Sequence, residues 1–162
     1  MFVEVGTFLG RSAAYMAQAI VASGKHIDFT THDLWSIEDR ETGAEMVPAL
    51  HEAVAKHGSM EAAARAHLEP FGVVPVAGNS LDVVHHYGDE SLDFVFLDDN
   101  HEQAHVAREL EAWWPKIRSG GMLAGHDFDM ASVGMAVTTW ARAKHLTLYR
   151  YVPRSWAVLK GA

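Results

Sequence analysis

Two rhythms alternate along the chain. Short apolar runs give way to longer stretches in which apolar residues return every three or four positions, the contrast between buried strands and amphipathic helices. Phe2 to Val5 reads as a buried strand. Gly6 and Gly10 then bracket a tight turn, and residues 11–23 place Ala13, Met16, Ala17, Ile20 and Val21 on one helical face before Gly24 stops it. A second strand, 26–33, ends in an acid. Residues 44–57 carry Val47, Leu50 and Val54 on a helical stripe that ends at Gly58. An Ala-rich helix over 59–69 is broken by Pro70 and Gly72. Residues 73–80 form a third strand, short or irregular because of Pro75. The fourth, 91–98, has the clearest pattern. A helix over 102–118 lines up Val106, Leu110, Trp113 and Ile117 and is closed by Gly120-Gly121. A fifth strand spans 122–127, and a further helix 131–143. Two strands, 146–152 and 155–160, form a hairpin around Pro153 and Arg154. The polar stretch 34–45, "LWSIEDRETGAE", reads as a lid loop, and 34–72 together as a lid or helical insertion.

Alternation of this kind predicts an α/β fold: a doubly wound, mostly parallel seven-stranded sheet with helices on both faces and a C-terminal antiparallel hairpin. The 162 residues suit one domain, and 49% hydrophobic content suffices for a core. The first strand begins almost at residue 1, so the chain is either a minimal core or a piece of a longer one. A formal net charge of −8 without any basic run argues against a nucleic-acid partner. No cysteine is present, which removes disulfides, thiolate metal sites and a thiol nucleophile. There is no signal-peptide layout and no apolar run that spans a bilayer, so no membrane partner and a cytoplasmic setting are expected.

Polar residues gather where the strands end: Glu4 to Gly10, His32-Asp33, Gly78-Asn79, Asp98 to His101, and His126-Asp127. One such cluster could be helix caps and turns. Five together predict a single site, because open parallel sheets bind ligands beyond the carboxyl ends of their strands. "EVGTFLGRS" lets backbone approach a ligand and offers a helix N-terminus, but it lacks the Lys-Ser/Thr of a phosphate loop and the third glycine of a dinucleotide fingerprint. Asp33, an acid ending the second strand, can accept hydrogen bonds from ribose hydroxyls.

The segments "VEVGTFLGRS", "THD", "AGNS" and "FVFLDDNHEQAHVARELEAWWPKIRSGGMLAGHDF", with the terminal strand pair, resemble class I S-adenosylmethionine-dependent methyltransferases. The likeness is to a compact branch that includes sugar O-methyltransferases and cephalosporin-hydroxylase-like proteins. It implies a Rossmann-like fold, S-adenosyl-L-methionine as cofactor, and a small-molecule hydroxyl as acceptor. By that resemblance Glu4, Gly6 and Gly10 line the methionine part of the cofactor, with Thr7 and Ser12 beside them. Asp33 holds the ribose, next to Leu34, and Asn79 and Ser80 flank the adenine. Asp98 is the acid at the fourth strand end and touches the cofactor. In metal-dependent relatives a divalent ion, magnesium or manganese, sits at the positions of Asp98, His126 and Asp127, and His101, three residues after the first acid, is the general base. Asp98, His101 and Asp127 are accordingly the expected catalytic group. His126 departs from the two acids, or acid and amide, that are common there, and Asp99 replaces the usual glycine. Imidazole favours manganese, iron or zinc over magnesium. His126 facing the acceptor instead of a metal stays open, as does metal binding itself.

"HEQAH", 101–105, also satisfies H-E-x-x-H, the zinc-peptidase helix motif, though His101 falls at a strand-to-helix junction. A cofactor-binding subunit without chemistry is a further alternative. His51, His57, His67, His85, His86 and His145 read as surface or helix-end residues, Trp113 and Trp114 as packing, and Trp35 as a cover for the adenine or the acceptor. With no evident substrate cap at the N-terminus, a homo-oligomer in which a second chain completes the acceptor pocket is expected. If His101 were structural, it would cap the following helix.

Overall fold

Seven strands form one sheet in the order β3-β2-β1-β4-β5-β7-β6. The computed structural model describes residues 1–36, 47–151 and 154–161. In chain order, β1 (Phe2–Val5) leads to α1 (Arg11–Ser23), β2 (Phe29–Asp33), α2 (Val47–His57), α3 (Met60–Leu68), β3 (Pro75–Ala77), α4 (Ser80–Val83), β4 (Leu92–Leu97), α5 (Gln103–Trp113), β5 (Ile117–Gly125), α6 (Ala131–Ala143), β6 (Leu148–Tyr151) and β7 (Ser155–Leu159). β1 to β5 run parallel, while β7 pairs antiparallel with both β5 and β6. The order reverses direction between β1 and β4, the switch point at which a crevice opens.

One face of the sheet carries the larger core. Val3, Val5, Val95, Leu97 and Leu123 pack there against Val106, Leu110 and Trp113 of α5 and Val133, Val137 and Trp140 of α6. The other face holds a smaller cluster, in which Ala13, Ala14 and Ala17 of α1 meet Leu68 and Val73. Alanines at that spacing bring α1 close to its neighbours. Gly24, with φ 65°, ends α1 and returns its N–H to the Val21 carbonyl. Ser59 caps α3 by accepting from Ala62 N at 3.0 Å.

Several sequence boundaries move. The 26–33 strand begins only at Phe29, and the 73–80 strand shrinks to Pro75–Ala77, consistent with the missing N–H of Pro75. Ser80 instead opens a short helix, α4, which no periodicity announced. The helix expected over 102–118 ends at Trp113, and a 3₁₀ turn, Trp114–Lys116, follows with Pro115 near its start. Ile117 and Gly120-Gly121 therefore belong to β5, not to a helix end. Gly121 is needed there, since a Cβ would lie 3.0 Å from the Asp93 carbonyl oxygen of β4. β5 ends at Gly125, so His126 and Asp127 stand just beyond it. The expected lid at 34–45, the start of the 44–57 helix and the Pro153 turn lie wholly or partly outside the described residues. Among the described residues no helix is long and apolar enough to cross a membrane.

Candidate active site

The strand tips are tied to each other through backbone. Gly6 N–H donates to the His32 carbonyl at 2.8 Å, Gly78 N–H to Asp33 at 2.9 Å, Asp98 N–H to Val5 at 2.8 Å, and His126 N–H to Leu97 at 3.1 Å. All five polar clusters of the sequence thus meet along one edge. Gly6 has φ +96°, and a Cβ would fall 2.0 Å from the Asp98 carbonyl oxygen. The tip of β4 crosses where that side chain would be. Gly10, φ +83°, is pressed against Leu68, 2.9 Å from a would-be Cβ. Both glycines are required by contacts within the protein itself. Phe8, Trp35 and Asp127 also have positive φ, so strained backbone gathers at these tips.

Asp33 is buried, and its carboxylate receives Phe8 N–H at 2.7 Å and Trp35 N–H at 2.6 Å. Trp35 donates its indole N–H to the Phe8 carbonyl at 2.9 Å, which fastens the segment after β2 onto the β1 turn. Beneath the turn runs a closed chain of hydroxyls: Thr7 Oγ1 lies 2.6 Å from Thr31 Oγ1, which donates to Glu4 Oε2 at 2.6 Å. Burial, opposed by the Ser12 and Thr31 hydroxyls and reinforced by Asp33, pushes the Glu4 carboxyl up to about 7. Among the described residues Glu4 Oε1 has no hydrogen-bond partner. Asn79 caps α4 by accepting from Leu81 N at 2.9 Å. Ser80 Oγ turns into the core, where the Trp113 indole donates to it at 3.0 Å. Leu34 is exposed and Ser12 half-buried.

The second half of the edge is ionic. His101 Nε2 lies 2.7 Å from Asp127 Oδ2. His126 Nδ1 lies 3.2 Å from Asp127 Oδ1 and 3.7 Å from Asp98 Oδ1. Arg154, immediately before β7, reaches the same Asp127 Oδ1 at 2.9 Å and Asp129 at 3.0 Å. Burial alone would raise Asp127, but the hydrogen bonds and charges of His101 and His126 outweigh it and hold the carboxyl well below the usual carboxylate range. The same bonds raise both imidazoles. Asp98 behaves oppositely: burial, with Asp127 and Glu4 reinforcing it and His126 and His101 opposing, pushes it up to about 7. The pocket between these groups, also lined by Asn100, Val133 and Trp156, measures ≈ 10 Å³ at its core, room for about one water-sized body.

The structure brings together Asp98, His101 and Asp127, whose ligand atoms lie within 4.8 Å of one another. It leaves His126 as a further flank of that group. Two carboxylates and an imidazole suit a divalent ion such as manganese or zinc, and the elevated Asp98 would gain from one. His101 does not cap α5. Asn100 does not either: its Oδ1 accepts from Glu102 N at 2.7 Å, a turn contact just ahead of the helix, and Glu102 at the N-cap makes no side-chain cap bond. The H-E-x-x-H pair divides: His101 turns to Asp127, while His105 lies over Glu109. Arg154 escaped sequence reasoning, because a lone arginine in a hairpin carries no local signal of a partner 27 positions away. Glu109 carried one: it occupies an apolar-stripe position beside Val106, Leu110 and Trp113, and is buried.

Residues 3–128 match the family model described as a methyltransferase domain, and the chain belongs to that family. No curated protein matches the chain. The fold is similar to that of the O-methyltransferase NovP, at 18% identity and TM-score 0.71, over 99% of this chain and 72% of NovP. CalS11, a TDP-rhamnose 3′-O-methyltransferase of calicheamicin biosynthesis, is similar at 15% identity and TM-score 0.63, over 99% of this chain and 71% of that one. An O-methyltransferase from Bacillus cereus, solved in complex with SAH, aligns at 16% identity and TM-score 0.61, over 98% and 73%. These likenesses establish the Rossmann-like methyltransferase fold.

Proposed function

We propose that the chain is an S-adenosylmethionine-dependent O-methyltransferase of a small-molecule hydroxyl, of sugar or natural-product type. The observation that carries this reading is the His101–Asp127 bond of 2.7 Å beside Asp98 at the β4 and β5 tips. The cofactor supplies a methyl group already activated on sulfur, so the protein must align the acceptor and remove its proton. Asp33, a buried carboxylate at the tip of β2 that receives the Phe8 and Trp35 N–H groups, is the acceptor for the ribose hydroxyls. The orphaned Glu4 Oε1 fits the ammonium of an amino-acid group at the β1 turn. Gly78 and Asn79 flank the base end.

Asp127, held ionised, takes the Nε2–H of His101 and fixes the tautomer. Nδ1 then carries the lone pair that accepts the acceptor's proton. The raised pKa of His101 makes it a stronger base, and Asp127 stabilises the imidazolium that forms. Asp98 orients the acceptor hydroxyl. A divalent ion held by Asp98, His101 and Asp127 would acidify that hydroxyl but would occupy the His101 lone pair, so it is an alternative to the base. Chelation of the wild type separates the two cases: an unchanged rate leaves the base in charge.

The test has two readings. Calorimetry should show binding of S-adenosylhomocysteine, weakened by about 1–3 kcal/mol in Asp33→Ala. With a hydroxylated acceptor found by screening, His101→Ala should lower kcat by about 10²–10⁴-fold at nearly unchanged cofactor affinity. A wild type that binds no S-adenosylhomocysteine, or binds NAD tightly instead, refutes the reading.

A further inference from the structure

A second polar cluster adjoins the first at the 98–101 turn, and its Asp99 and Glu109 line the same small pocket as Asp98, His101 and Asp127. Asp99, His105 and Glu109 bring one ligand atom each to within 4.8 Å of one another. The two groups share no residue: 98, 101 and 127 form one, and 99, 105 and 109 form the other. Glu109 is 1% exposed and His105 9% exposed. Their facing atoms, Glu109 Oε1 and His105 Nε2, are buried and neither has a hydrogen-bond partner. The two atoms stand 3.7 Å apart. That is too long for a hydrogen bond, whose usual N···O span is about 2.7–3.2 Å. It is close to the separation of two ligands on one tetrahedral ion, about 3.4 Å for bonds near 2.1 Å. Successive turns of α5 hold both groups on one helix face, as i and i+4 neighbours. In the ion-free chain the His105 ring faces that buried carboxylate across 3.7 Å, and a cation between them would pair with it directly.

We propose that Asp99, His105 and Glu109 form a site for a divalent first-row transition ion of the zinc class, distinct from the Asp98–His101–Asp127 group. One imidazole and two carboxylates favour such an ion over magnesium or calcium. Its mechanical effect follows from connectivity: it ties the turn at Asp99 to the first two turns of α5, and so steadies Asp98 and His101 on either side. The inference holds whether or not the methyl-transfer reading does.

The intact chain, freed of metal, is titrated with zinc against a chromophoric chelator, and its melting is followed with and without the ion. To remove the neighbouring group, the titration is repeated in a double variant, Asp98→Asn with His101→Asn. One ion should still bind at micromolar concentration or tighter and raise Tm by about 5 °C or more, as a ligand far above its Kd does. His105→Asn and Glu109→Gln should each weaken that binding by at least about 10-fold, a metal-ligand loss. A double variant that binds no zinc, or zinc binding that survives His105→Asn unchanged, overturns the proposal. Should the α5 variants fail to fold, hydrogen exchange in the double variant decides. Zinc must slow exchange across residues 99–110, and no slowing there counts against the site.

Discussion

At the scale of single residues, two carboxyls are pushed in opposite directions by the same edge of the sheet. Asp127 is held ionised by two imidazoles and Arg154, whereas Glu4 is buried with one oxygen unpaired. If Asp127 fixes the His101 tautomer, Asp127→Asn should lower kcat by about 10–10³-fold and alter its pH profile while S-adenosylhomocysteine still binds. Unchanged turnover in that variant would leave His101 without its orienting partner's role. For Glu4 the sign is the reverse of a paired acid. Its folded pKa is raised from 4.5 to about 7, so the folded state binds its proton more tightly. The associated stability is full below 4.5 and is lost as pH rises through about 7. Glu4→Gln should therefore stabilise the ligand-free chain at pH 8 by about 1–3 kcal/mol and gain little at acid pH. Urea unfolding at the two pH values measures the difference, and a variant less stable than wild type at pH 8 contradicts it.

At the scale of elements, close approach of strand tips dictates which glycines are irreplaceable. Gly6 and Gly24 both have positive φ, but only Gly6 has another strand where its side chain would be. Gly6→Ala must move the Asp98 backbone or unfold, a cost of about 3 kcal/mol or more. Gly24→Ala faces open space and should cost only about 1–2 kcal/mol for the left-handed backbone. Denaturation midpoints for the pair test this, and equal losses would show that conformation, not contact, governs the β1 turn. Gly6→Ala should also displace the proposed catalytic pair, because the atom it strikes belongs to Asp98 itself.

At the scale of the whole molecule, titrating groups sum to an acid-leaning stability profile. Glu4 and Asp98 are raised to about 7, and His101, His105 and His126 are raised as well. Each loses stabilisation as pH climbs through its folded pKa. His32 works the other way: burial, with the nearby His86, lowers it to about 4, so its contribution is lost as pH falls from 6.5 to 4. The ligand-free protein should accordingly melt higher near pH 5.5 than at pH 8, by roughly several degrees, given about 2–4 °C per kcal/mol at this size. Scanning calorimetry at both values checks it. A higher Tm at pH 8 would mean that the carboxyls are compensated by partners other than those described.

The linear order of residues determined the class of fold and where its chemistry gathers. Apolar runs such as 92–97, helix stripes such as Val106, Leu110 and Trp113, and acids at the ends of strands are all local patterns, and local patterns survive in a sequence. The same is true of the charge excess and of the absent cysteines. Tertiary structure alone decided three things. It chose which polar side chains meet: Arg154 on Asp127, and Trp113 on Ser80, pairs made by strands and helices far apart in the chain. It moved Ile117 and Gly120-Gly121 from a helix end into β5, because pairing with β4 outweighs a continuing helical stripe. And it split His101 from His105, two histidines that spacing alone would place on one ion. The reason is common to all three. Periodicity reports which face of an element is buried, while the partner on that face is set by topology and close packing, which no single segment contains.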